Sequence, residues 1–174
     1  MMKKILACIT VLVVMAAMST SLYAVNLFGN VGLAASDLEG LFIDVGAEVK
    51  ITNNFYGQVL FDYYFSPSGE DIEGLDDSAY GFNLYGVYKF TDTGPLNLFA
   101  KAGVHYTTVK MSASGGGISI SAESSDFGLA GGLGVEFDMS EQVALVLGAT
   151  AKLIFSEGDT GNWFKFYGGL NFRL

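Results

Sequence analysis

The chain has 174 residues, of which 18 are acidic and nine are basic, so its formal net charge is −9. Hydrophobic residues make up 51% of the chain and charged residues 16%, which excludes a disordered protein. The excess of acidic residues would repel the phosphate backbone of a nucleic acid, so we expect no nucleic-acid partner. The length fits one domain, and 23 glycines with 14% aromatic residues favour many short strands.

Residues 1–24 form the first predicted element, a cleaved secretory signal peptide. Lys3 and Lys4 supply a basic head, an apolar run follows over 5–18, and small residues lead to Ala24. A retained anchor helix is the alternative, but this run is shorter than the ~20 residues that span a bilayer. The only cysteine, Cys8, lies in this segment, so the exported chain holds no disulfide. We place cleavage between 21 and 25, which removes two basic residues and leaves a net charge of −11.

Eight strands are predicted after Ala24. No later stretch has 18 uninterrupted apolar residues, which excludes a membrane protein built of helices. Apolar residues instead alternate with other residues at period 2. The predicted strands are 25–34, 41–51, 55–65, 80–90, 96–110, 125–137, 142–154 and 163–174. Their connections alternate between short turns and longer loops, as in an antiparallel meander with a turn end and a loop end.

The two faces of these strands differ in chemistry. One face carries no charged residue at any of 48 positions. The other face holds Asp44, Glu48, Lys50, Asp62, Lys89, Lys101, Asp126, Glu136, Lys152, Lys165 and Arg173, together with the only histidine, His105. Its five acids and six bases nearly cancel. A soluble barrel would also alternate, so periodicity alone does not show which face meets water.

Three observations direct the apolar face outward, toward lipid. Its many Phe, Tyr and Leu side chains would overfill the narrow interior of eight strands. The polar face carries eight glycines that suit such an interior, at positions 32, 46, 81, 103, 128, 132, 134 and 148. Aromatic residues also stand near both ends of the apolar rows, for example Phe55 and Phe65, as in interfacial girdles. The sequence therefore predicts an all-β, eight-stranded antiparallel up-and-down transmembrane β-barrel over residues 25–174.

With its signal peptide, eight alternating strands, unequal ends and final segment FKFYGGLNFRL, the chain resembles the small outer-membrane β-barrels. These include the transmembrane domain of outer membrane protein A, the X-type barrels and the opacity-type surface antigens. The resemblance implies a monomer in the outer membrane of a two-membrane bacterium, in contact with lipid and lipopolysaccharide. It also implies insertion by the barrel assembly machinery, which reads the last strand. Phe166, Gly168, Leu170 and Phe172 fit that signal, although the chain ends on Leu174 instead of Phe or Trp.

We expect the inward charged side chains to pair with one another and to fill the lumen. The alternative is that they line a narrow ion path. His105 would need a nearby Ser or Asp and access to a lipid ester to act in catalysis. No readable motif places these groups beside it, so we predict a hydrogen-bonded core histidine. We predict no catalytic, cofactor-binding or metal-binding residue, and no enzymatic activity.

Two loop segments are candidates for surface contacts. Residues 66–79 hold five carboxylates, which could collect Ca²⁺ or Mg²⁺ but match no defined calcium loop, so we expect a solvated acidic loop. Residues 111–124 are rich in Gly and Ser and predict a mobile loop. The favoured function is a structural and surface-interaction role through such loops, with a possible extracellular or host ligand. The alternative is a small passive channel or carrier for ions or small apolar molecules.

Overall fold

The computed structural model describes residues 25–36, 39–65, 75–90, 95–115, 118–155 and 161–174. The predicted signal peptide, residues 1–24, lies outside them. None of the described residues forms a helix long and apolar enough to cross a membrane.

Eight antiparallel strands close into a barrel in chain order. They are β1 (Val25–Ser36), β2 (Gly40–Lys50), β3 (Phe55–Phe65), β4 (Leu75–Lys89), β5 (Leu96–Gly115), β6 (Ile118–Asp138), β7 (Val143–Phe155) and β8 (Asn162–Arg173). Closure comes from β1 and β8, which pair from Asn26↔Arg173 to Ser36↔Trp163. Within the closed part of the barrel, each strand thus finds its backbone hydrogen-bond partners in the two neighbouring strands, as a lipid environment requires. The predicted fold class is confirmed.

The three longest strands exceed their predicted lengths at the loop end. β5 and β6 stay paired as far as Gly115↔Ile118, so the prediction of a loop over 111–124 is wrong. Cross-strand contacts explain the extension. The hydroxyls of Thr108 and Ser125 lie 2.9 Å apart, and Lys110 Nζ lies 3.7 Å from Glu123 Oε2.

The predicted acidic loop over 66–79 is also shorter than expected, because β4 already begins at Leu75. Asp76 and Asp77 therefore belong to this strand. The other three carboxylates, Glu70, Asp71 and Glu73, lie outside the described residues.

The apolar face points outward as predicted. Leu84 and Phe166 are each 56% exposed, whereas Lys101 and Glu136 are 7% and 2% exposed. Along β5, the ten residue steps from Leu96 to Tyr106 give about 34 Å of strand, or about 26 Å of height at a tilt of ~40°. This height matches the apolar band of about 25 Å in outer-membrane barrels.

Aromatic residues border this apolar band at both ends. Phe55, Tyr88 and Phe137 stand at the turn end, where the connections 51–54, 90–95 and 139–142 and both Val25 and Leu174 lie. The opposite border, at the loop end, carries Phe65, Tyr106, Phe127 and Phe155. The predicted girdles are therefore present.

Candidate functional site

The lumen contains two separate groups of ion pairs. The first, called the loop-side cluster, consists of Asp44, Asp62, Lys152 and Lys165. Lys152 Nζ lies 2.5 Å from Asp62 Oδ2, and Lys165 Nζ lies 3.1 Å from Asp62 Oδ1 and 3.2 Å from Asp44 Oδ2. Asp62 and Lys152 are fully buried. The cluster joins β2 and β3 to β7 and β8 across the barrel axis, and its formal charges cancel.

The second group, called the turn-side cluster, consists of Glu48, Lys89, Glu136, Asp138 and Arg173. Lys89 Nζ lies 2.9 Å from carboxylate oxygens of both Glu48 and Glu136. The Arg173 guanidinium donates to Glu136 and to Asp138. This cluster joins β2, β4, β6 and β8. Charged hydrogen bonds of this kind hold side chains in one arrangement instead of leaving them to line a wide pore.

Lys101 stands between the two clusters without a carboxylate partner among the described residues. Its ammonium lies 4.8 Å from the ring centre of Tyr85 and 4.6 Å from that of Tyr167. Lys165 lies over Phe42 in the same way, at 4.0 Å, and Lys89 over Tyr56, at 4.4 Å. Aromatic faces thus stabilise the buried lysines in addition to the carboxylates.

Eight buried aromatic side chains fill much of the lumen, in addition to the charges and glycines predicted there. They are Phe28, Phe42, Tyr56, Tyr64, Tyr85, Phe99, Trp163 and Tyr167. Their signal was present in the sequence, because each occupies an inward position of its strand.

Glycines opposite these rings make the space for them. Five of the eight rings are paired directly across the sheet with a glycine: Phe28↔Gly46, Phe42↔Gly32, Tyr85↔Gly103, Phe99↔Gly134 and Tyr167↔Gly148. A Cβ atom added at Gly134 would clash with the Phe99 ring, lying 2.8 Å from Cε1 and closer still to Cζ, and one at Gly148 would lie 2.5 Å from Cζ of the Tyr167 ring. The absence of a side chain at Gly46, Gly134 and Gly148 therefore leaves the space that the rings of Phe28, Phe99 and Tyr167 occupy.

His105 is buried and has partners for both ring nitrogens. Nε2 lies 3.2 Å from the Leu153 carbonyl, which can only accept, so Nε2–H donates. Nδ1 lies 3.2 Å from the Thr107 hydroxyl, which donates to it in the neutral tautomer. Trp163 packs edge-on against the imidazole, with ring centres 5.3 Å apart. This environment agrees with the predicted structural role of His105.

Besides Lys101, two of the predicted inward charges lie outside both clusters. Lys50 stands at the turn end with its ammonium 5.9 Å from the Tyr56 ring centre. Asp126 stands at the loop end, where it accepts a hydrogen bond from Ser124 at 3.5 Å. Among the described residues, no group of three His, Cys, Asp or Glu side chains is arranged to bind a metal ion.

A small cavity of about 20 Å³ lies in the turn-side half of the lumen, between the turn-side cluster and Lys101. Asn30, Gln58 and Asn171 border it, each with a buried amide oxygen that has no hydrogen-bond partner among the described residues. A polar cavity of this size has room for one water molecule. It is therefore too small to be a ligand site or a continuous passage.

Known outer-membrane β-barrels are similar to this chain. The family model described as "Outer membrane protein beta-barrel domain" matches residues 5–173. Neisserial surface protein A is 17% identical with a TM-score of 0.66, and the match covers 87% of this chain and 97% of that one. A major outer membrane protein of Thermus thermophilus is 13% identical with a TM-score of 0.66, covering 87% and 99%. Ail of Yersinia pestis is 15% identical with a TM-score of 0.54, covering 87% and 97%. No curated protein sequence gives a significant match.

Proposed function

The chain belongs to the outer membrane protein β-barrel domain family, and on that premise we propose that it is a monomeric structural and surface-interaction protein whose loop end faces the cell exterior. The observation that carries the proposal is the filled lumen. Ion pairs and aromatic rings occupy its cross-section in both halves. Transport through such an interior would require breaking buried ion pairs at a cost of several kcal/mol. Function is therefore assigned to the loop end.

The chemistry of the loop end supports a partner that tolerates or seeks negative charge. The connecting segments 37–39, 66–74, 116–117 and 156–161 contain seven acidic residues and no Lys or Arg. Ail has been solved in complex with the heparin analogue sucrose octasulfate. The acidic loop end of this chain disfavours such a polyanion, so the ligand class proposed here is cationic or neutral.

Lipid and lipopolysaccharide are the proposed surroundings of the outward face, and the barrel assembly machinery is the proposed insertion partner. Phe166, Leu170 and Phe172, which fit the insertion signal expected in the last strand, all point outward. N-terminal sequencing of the protein purified from outer membranes tests the signal peptide. A mature chain that begins between residues 21 and 25 supports it, and an intact Met1 contradicts it.

Conductance across a planar bilayer tests the filled lumen. The refolded protein should give no stable single-channel steps. Reproducible steps would favour the alternative function, a small passive channel or carrier. Protease treatment of intact cells that carry a tag at 116–117 tests the orientation, because cleavage there requires the loop end to lie outside.

A further inference from the structure

Lys101 is a buried cation that lacks an oxygen acceptor among the described residues. It is 7% exposed, and its ammonium carries three N–H donors. Its partners are the rings of Tyr85 and Tyr167, whose centres lie 4.8 Å and 4.6 Å from Nζ. Ring faces attract the charge, but they do not satisfy N–H groups as oxygen atoms do. A buried ammonium in this position therefore needs a hydrogen-bond acceptor.

Three amides that border the small cavity beside Lys101 have the opposite need. The oxygens of Asn30, Gln58 and Asn171 are buried and have no donor among the described residues. Their amino groups are held by carboxylates, with Asn30 donating to Asp44 at 2.6 Å, Gln58 to Glu48 at 3.5 Å and Asn171 to Glu136 at 3.4 Å. Because a carboxylate only accepts, these contacts fix which end of each amide carries the free acceptor.

Donors that lack acceptors and acceptors that lack donors thus border one cavity of about 20 Å³. An occupant that satisfies both sides has to accept a hydrogen bond from Lys101 and to donate to the amide oxygens. A water molecule does both, and the cavity has the size of one. A free cation is disfavoured because Lys101 already places a positive charge there. An anion is disfavoured because Glu48 and Glu136 border the cavity as well.

We propose that this cavity is a binding site for one water molecule, which accepts a hydrogen bond from Lys101 Nζ and donates to two of the three amide oxygens. Each of these amides contacts a carboxylate, so the water connects Lys101 through the amides to the ion-pair clusters. The buried ammonium thereby gains a link to negative charge that its direct contacts do not give. The site lies inside the barrel and is independent of the proposed surface role.

A crystal structure of the refolded protein, grown from a lipid mesophase in rubidium bromide, tests the site directly. A density peak should lie at about 2.7 to 3.2 Å from Lys101 Nζ and from two of the three amide oxygens. Rubidium and bromide scatter anomalously, so they would reveal an ion in the cavity, and we expect no anomalous signal there. An anomalous peak in the cavity would overturn the proposal. Direct contact between Lys101 Nζ and the amide oxygens, or a cavity without density, would also overturn it.

The same substitution at two valines provides matched variants. Val146 borders the cavity, whereas Val45 is 54% exposed on the outward face. Val146→Ile adds a methyl group at the cavity wall, and we expect loss of the density peak. Val45→Ile should keep the peak. If Val146→Ile fails to refold, Val87→Ile takes its place, because Val87 borders the same cavity from β4.

Urea titration of these variants distinguishes a structural water from a dry void. Val146→Ile should shift the urea midpoint downward although it adds apolar volume, because Lys101 and the amide oxygens lose their shared partner. Filling a dry void would instead shift the midpoint upward, and that result would overturn the proposal. Loss of the density peak in Val45→Ile would overturn it as well, since that residue does not border the cavity.

Discussion

Asp62→Asn tests the energetic role of the buried ion pairs, because it removes one charge with almost no change in shape. Asp62 contacts Lys152 at 2.5 Å and Lys165 at 3.1 Å. At an effective dielectric constant near 20, each contact has a gross Coulomb energy on the order of 5 to 7 kcal/mol. Desolvation of the three ions offsets most of it.

The substitution leaves the fully buried Lys152 ammonium with the Tyr64 hydroxyl, at 3.3 Å, and the neutral amide. Removing one partner of a buried pair costs about 3 to 5 kcal/mol, and we expect a loss of that size in the free energy of unfolding. The control is Glu123→Gln, which breaks an ion pair whose side chains are both more than 40% exposed. That loss should be at most about 1 kcal/mol.

Trp163 provides the assay, since it is the only tryptophan in the chain and its indole lies 5.5 Å from Lys152 Nζ. Urea titration in phospholipid vesicles, followed by tryptophan emission, gives the free energy of unfolding. Asp62→Leu combined with Lys152→Met removes both charges and should recover most of the stability lost in Asp62→Asn. A loss in Asp62→Asn no larger than in Glu123→Gln would refute the reasoning. A double variant as unstable as the single one would attribute the loss to packing.

Three other substitutions test separate features in the same titration. Lys101→Met removes an ammonium that has only ring partners, so the free energy of unfolding should change by less than about 1 kcal/mol, and a loss of about 3 kcal/mol would reveal a missed anionic partner. Gly134→Ala forces a methyl group against Phe99 and should cost about 1 to 3 kcal/mol, whereas Gly131→Ala, whose Cβ meets nothing closer than 3.7 Å, should be close to neutral. Equal losses at the two glycines would contradict the ring-packing role. Leu84→Arg places a charge on the outward face near mid-height and should cost about 2 to 4 kcal/mol in vesicles; a neutral result would mean that this face does not meet lipid.

Alternation was sufficient to predict the barrel. A period of two residues assigns each side chain to a face without any knowledge of strand pairing, so residues as distant as Leu27 and Leu153 could be placed on one face from the sequence alone. The bulk of the side chains on that face then indicated that it points outward, where both leucines lie. Strand ends were less readable at the loop end. There the outward face turns from apolar to Ser, Thr and charged residues, so the contrast that marks a membrane strand disappears after Tyr106 although the backbone pairing continues.

Pairing across the lumen could not be predicted, because it depends on the shear of the barrel. Asp62 and Lys152 are 90 positions apart, and only closure between β1 and β8 brings β3 and β7 onto facing walls. The inward rings were missed for a different reason. Charges and glycines mark the inward face in the sequence, but only the strand register shows which residue stands opposite each glycine. Once the register is known, Phe99 is found opposite Gly134, so the inward glycines and the inward aromatic rings belong to the same packing arrangement.

The same register divides the molecule into parts of unequal stability. Strands within the barrel have two neighbours and a packed interior. Among the described residues, the β5–β6 hairpin beyond Tyr106 has only β4 as a further neighbour, along part of one side. Hairpins of this kind are marginally stable in water until a further strand or a packed face is added. Local opening should therefore begin in the extension and leave the barrel intact.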